Sequence, residues 1–232
     1  MFDFPGLTRC RRNVGLRLSL VLGLAAILFA APAARAQFSG PQTTPVHDPA
    51  ALKPPPGAKV AIIEFEDMEC PMCAETNPLL MQAQAKYHIP WIRHDFPIPG
   101  HPWSFQAAVY ARWFDTRNKD LGNSYRDAIF AAQRSIETHR QLIDFTQKFA
   151  SSHGQQLPFM IDPQGKLTEE VKADAALGNR IGVEHTPTIW IVTAGGKGPA
   201  YREVLDNNQL FQMIDQALAE TRSGGNNRTA HR

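Results

Sequence analysis

Val60-Ala61-Ile62-Ile63-Glu64-Phe65, followed by Cys70-Pro71-Met72-Cys73, is the stretch whose reading decides the fold. The first six residues are almost continuously apolar, as a strand buried on both faces is. From the cysteines to about Tyr87 the pattern is helical, and Ile89-Pro90-Trp91-Ile92-Arg93-His94 reads as a second strand. The chain therefore opens as a β-α-β unit, with both cysteines where a buried strand gives way to a helix.

Working outward, the pattern stays helical from Ser104 to about Arg180. Phe105, Ala108, Val109 and Trp113 recur at three-to-four spacing, as do Ile129, Ala132 and Ile136, then Leu142, Phe145 and Phe149. Asn123, Glu137 and Gly154 mark the expected breaks, and a last helix is expected over Leu167 to Leu177. Thr188-Ile189-Trp190-Ile191-Val192 is strand-like, and a Gly195–Pro199 turn leads to a partner strand over Tyr201 to Leu205. Asn207 to Glu220 reads as a closing helix. The predicted class is α/β, ordered β-α-β, a helical insertion over about 104–180, then β-β-α.

The ends read differently. Residues 1–36 combine Arg9, Arg11, Arg12 and Arg17 with an apolar run from Leu18 to Ala31 and a final Ala34-Arg35-Ala36. These are the parts of a secretory signal peptide, and the run falls short of the ~20 apolar residues of a membrane span. The signal predicts a periplasmic or secreted protein, a retained N-terminal anchor being the alternative. Residues 37–58 are proline-rich and read as an extended linker, 59–221 as the folded domain, and 222–232 as a polar, disordered tail. The whole chain carries a net charge of +2, of which residues 1–36 hold +4, leaving the remainder at −2. That balance gives no footprint for nucleic acid.

Of three cysteines, Cys10 lies in the signal segment, so the exported chain keeps only Cys70 and Cys73. A pair three positions apart closes too small a loop to stabilise much as a structural crosslink. Structural zinc wants four ligands, and no second pair is spaced to supply them. Haem attachment wants His after the second cysteine, where the chain has Ala74. At a helix N-terminus, unpaired N–H groups and the helix dipole favour a thiolate, so the pair reads as a redox centre.

Phe65-Glu66-Asp67-Met68-Glu69-Cys70-Pro71-Met72-Cys73 resembles the active-site entry of the DsbA-like branch of the thioredoxin superfamily. His94-Asp95-Phe96-Pro97-Ile98-Pro99-Gly100-His101-Pro102 is similar to its strand-to-insertion segment, and Gly182-Val183-Glu184-His185-Thr186-Pro187-Thr188 to its second active-site loop. The resemblance covers roughly residues 58–220. It implies a thioredoxin-like fold and a protein thiol–disulfide oxidoreductase that needs no cofactor or metal. It implies Cys70 as nucleophile at an exposed helix start and Cys73 as the more buried resolving thiol. Pro187 matches the cis-proline facing the pair, and Thr186 the residue whose backbone meets substrate. Glu64 matches a buried acid that shuttles a proton to or from Cys73. Pro71, Met72, Thr186 and His185 are the expected substrate contacts, and Pro78 a structural kink in the first helix.

The resemblance implies reduced or misoxidised exported polypeptides as substrates, a membrane partner for reoxidation, and a monomer. Met72 departs from the His that the strongest oxidants carry between their cysteines, so a less oxidising disulfide is expected. Thr186 is also found among relatives that isomerise or reduce, which leaves isomerase or reductase as the alternative. Two further readings stay open: Met68 and Met72 beside the thiols as a soft Cu(I) set, or a peptide-binding module with the insertion as a lid.

Overall fold

β1 (Val60–Glu66) is buried along its whole length, and its side chains alternate between two packed faces. Val60 and Ile62 face a layer built from α1 (Pro71–Tyr87) and α6 (Leu210–Ser223), through Leu80, Ala83, Leu210, Ile214 and Ala217. Ala61, Ile63 and Phe65 face the opposite layer, through Ile181 of α5 (Lys166–Ile181) and Phe96. Glu64 and Glu66 continue the row of Val60 and Ile62, which brings two acids into the interior.

The structure is a computed structural model that describes residues 43–223. The signal segment 1–36, residues 37–42 and the tail from 224 lie outside the described residues. The sheet has the order β2-β1-β3-β4, with β2 at Trp91–Asp95, β3 at Thr188–Thr193 and β4 at Tyr201–Glu203. β1 runs parallel to β2 and antiparallel to β3, and β3 is antiparallel to β4. This is the thioredoxin-like arrangement read from the sequence. The insertion between β2 and β3 comprises α2 (Ser104–Asp115), α3 (Lys119–Ala132), α4 (His139–Ser152) and α5. It has its own aromatic core of Trp103, Trp113, Phe114, Tyr125 and Phe149, which extends to Met68 and both cysteines.

Four expectations are corrected. Asn123 is not a break but lies inside α3; the helix starts after Asn118, whose Oδ1 accepts from the Asp120 N–H at 2.8 Å. The helix expected over 167–177 extends to Ile181, and Gly182 ends it with a left-handed φ of 108°. A Cβ at Gly182 would also meet the Pro45 carbonyl oxygen at 2.4 Å. The described part of the linker, 43–58, is no free spacer. Leu52 is 2% exposed in the α5-side core, His47 N–H donates to the Ile181 carbonyl at 2.8 Å, and Thr44 Oγ1 donates to Glu203 at 2.5 Å. Its prolines extend the chain, and its few apolar side chains pin that extended chain to the domain. At the other end, α6 carries the fold through Ser223, past the point where the tail was expected to begin.

Candidate active site

Cys70 is the N-cap of α1, in extended conformation, and Pro71 takes the first helical position, where a missing N–H costs nothing. The Met72 and Cys73 N–H groups therefore point at the Cys70 sulfur. The pair is a dithiol in this structure. The Cys73 thiol's hydrogen bond is the largest influence on Cys70; with the two N–H groups and Thr186 it outweighs burial and lowers the pKa from 9.0 to about 5. At neutral pH Cys70 is a thiolate. Its expected exposure needs correcting: only 6% of Cys70 is open, because the Thr186 loop and the insertion's core close over it.

Cys73, one turn into α1, is completely buried. Burial pushes its thiol well above the ordinary value, and the hydrogen bond to Cys70 and the nearby Glu64 charge push the same way. The Asp67 N–H reaches its sulfur at 3.5 Å. Glu64 is 1% exposed. Burial, reinforced by the Glu66 charge, raises Glu64 from 4.5 to about 8, against the opposing Arg93 charge and a hydrogen bond from Trp91 Nε1 at 2.9 Å.

The Thr186–Pro187 peptide is cis. The Thr186 carbonyl accepts from the Cys70 thiol at 3.2 Å. Thr186 Oγ1 is buried without a hydrogen-bond partner in the dithiol and helps hold Cys70 as a thiolate. His185 is exposed and lines a cleft of about 840 Å³ with Met72, Thr186 and Pro187. Pro71 lies instead on a second cleft, so the expected substrate contacts are divided between two surfaces. Of the two methionines, Met72 is 52% exposed at the first cleft, whereas Met68 is 2% exposed in the insertion core.

Four supporting residues escaped the sequence reading. The Asp67 carboxylate is buried and accepts from Glu69 N–H, Ile98 N–H and Ser104 Oγ, and pairs with His101 Nδ1. Glu69 accepts from the Trp103 and Ser104 N–H groups, capping α2. Gln133 Nε2 donates to the Met68 and Cys70 carbonyls, both at 2.9 Å. Trp91, read only as a strand residue, holds Glu64. Asp67 and Glu69 sit in a short acidic run before the first cysteine, which was a signal; Gln133, 60-odd positions away, gave none. Beneath them, Arg93 and Arg126 are buried among Glu66, Asp95, Asp115 and Asp127, joining the strand ends to the insertion.

Two adjacent thiols whose acidities are driven in opposite directions are equipped to trade a disulfide with another molecule. On this sheet topology the molecule is a thiol–disulfide oxidoreductase of thioredoxin-like fold. The chain belongs to the thioredoxin family, whose model matches residues 55–216. The structure is similar to Wolbachia pipientis alpha-DsbA1, at 18% identity and TM-score 0.60, covering 74% of this chain and 92% of that one. It is similar to alpha-DsbA2 of the same organism, described as a thiol-disulfide exchange protein, at 19% identity and TM-score 0.57 over 71% and 84% of the two chains. A periplasmic thioredoxin-like protein from Salmonella enterica serovar Typhimurium matches at 21% identity and TM-score 0.56, over 71% and 87%. No curated protein sequence matches significantly.

Proposed function

We propose that the protein is exported and introduces disulfides into other exported polypeptides. The observation that carries this reading is the set of donors gathered on Cys70 Sγ, the Cys73 thiol and the Met72 and Cys73 N–H groups, which lower its pKa to about 5; a stabilised thiolate in the reduced form makes the corresponding disulfide an oxidant. A substrate thiolate attacks Cys70 Sγ of the Cys70–Cys73 disulfide; the bond between the two sulfurs breaks and Cys73 leaves. At pH 7 Glu64 is protonated and supplies the proton that the high-pKa Cys73 takes up. A second substrate thiolate then attacks the substrate sulfur of the mixed disulfide, and Cys70 departs as a thiolate. The substrate loses two electrons to its new disulfide, and the pair gains them.

Thr186 and Pro187 form the wall against which the substrate backbone lies. When Cys70 ionises, the Thr186 carbonyl loses its thiol donor and can accept a substrate N–H instead. Export is supported by residues 1–36 and by a similar protein described as periplasmic. Among the described residues, no helix is long and apolar enough to cross a membrane. Reoxidation falls to a membrane partner, and the working unit is a monomer.

The test is the reduction potential of the exported chain, from residue 37, together with refolding of a reduced, multi-cysteine substrate. A potential well above thioredoxin's about −270 mV with faster refolding is expected. A potential near that value reassigns the protein as a reductase, and rescue of scrambled but not reduced substrate reassigns it as an isomerase.

A further inference from the structure

The second cleft, on the insertion side of Cys70, has no part in the reading above. It measures about 830 Å³ and begins at Pro71, directly beside the nucleophile. Its apolar floor combines Pro71 and Ala74 of α1 with Trp103, Phe130 and Ile136 of the insertion. Its rim carries Glu69, Glu75 and Glu137 against a single positive charge, Arg134. Gln133 ties the cleft to the redox pair through the Met68 and Cys70 carbonyls. Glu75 borders both clefts, which lie on either side of the start of α1.

We infer that this cleft is a specificity site for the substrate polypeptide, taking an apolar side chain next to Lys or Arg close to the reacting cysteine. The inference rests on the proposed redox function. A chain whose cysteine reaches Cys70 must cross the helix start, and only one of its arms lies along the cis-proline wall. The other arm leaves over Pro71 onto the apolar floor. An acidic rim around an apolar floor complements a basic, apolar segment and repels an acidic one. The cleft walls come from both α1 and the insertion, which gives the insertion a role in substrate choice.

The experiment uses the oxidised exported chain, from residue 37, and two single-cysteine peptides, one with Leu-Arg on each side of the cysteine and one with Leu-Glu. Mixed-disulfide formation is followed by stopped flow. In the unsubstituted protein the basic peptide should react faster by about threefold or more at low salt, the scale of exposed charge pairs, and the preference should shrink as salt is added. Glu137→Lys should pull the basic-to-acidic rate ratio to one or below. Ala131→Arg, on the exposed lip of the cleft, should do the same by filling and recharging it. Taking the ratio within each protein cancels general effects on folding or on Cys70. Equal rates for the two peptides, or a ratio unchanged in both variants, would overturn the inference. Failure of the unsubstituted protein to exchange even with glutathione would instead overturn the redox function on which it rests.

Discussion

Cys70 and Cys73 differ in acidity because one sulfur collects hydrogen-bond donors and the other sits in the core. That difference sets the pH dependence of the redox couple. Below a Cys70 pKa of about 5, reduction takes up two protons, and the potential should fall by about 59 mV per pH unit. Above it Cys70 stays ionised and one proton is taken up, so the slope should halve to about 30 mV per pH unit. Glutathione equilibration from pH 4 to 8 locates the break; an unbroken steep slope to pH 8 contradicts the acidic thiolate. The same depression links stability to pH. In the reduced form it contributes stability present above 9.0 and lost as pH falls through about 5. Glu64, raised from 4.5 to about 8, acts the other way, its contribution lost as pH rises through that window. Glu64 is present in both redox forms and the raised Cys73 thiol stays protonated below pH 9, so below that pH the difference between their unfolding curves reports Cys70. The Trp91 N–H favours the ionised Glu64; Trp91→Phe should raise the Glu64 pKa by about one unit, read from its carboxyl infrared band.

The cysteines and the Thr186–Pro187 loop that the fold brings together were legible because their types and order are distinctive: a C-x-x-C after a buried strand, and Thr-Pro before another. Trp91 was not, because its role depends on strand register. Ile62 pairs with Trp91 and Glu64 with Arg93 across β1 and β2, and a sequence does not state which residues sit side by side. Cys70's near-closure was missed for a similar reason, since the covering groups come from Thr186 and the insertion.

At the scale of elements, α5 closes one face of the sheet at Gly178. A Cβ there would meet the Phe96 ring at 2.6 Å and Phe65 at 3.0 Å, both held inside the core. Gly178→Ala should therefore destabilise despite alanine's better helix propensity, by about 1–2 kcal/mol net, lowering Tm by about 3–6 °C. A neutral or stabilising result in thermal unfolding would show that α5 can withdraw. The helices themselves were readable from apolar spacing, as in α4 with Leu142 and Phe149 buried on one face. Their ends were less so. Asn123 has the chemistry of a cap but lies within α3, while Asn118 has the same chemistry and the right φ and ψ. Residue type alone does not separate the two.

At the scale of the molecule, the segment from Thr44 to Pro56 straps the C-terminal end of α5 to the edge strand β4 through its contacts with Ile181 and Glu203. Leu52→Ala should cost about 2–4 kcal/mol in urea unfolding, the range for a buried leucine, where a true linker residue would cost almost nothing. Proline content had suggested a spacer because it reports backbone extension and is silent on what an extended chain touches. The placement of the insertion has a consequence for how the chain is made. β1 pairs on one side with β2, close behind it, but on the other with β3, more than a hundred residues later: Phe65 meets Thr188. As the polypeptide emerges from its N-terminus, a strand that ends fully buried stays open along one edge while all the insertion helices are produced. Those helices rest largely on local contacts and can form first; the sheet has to wait. Until β3 is made, that open edge can pair with strands of other polypeptides.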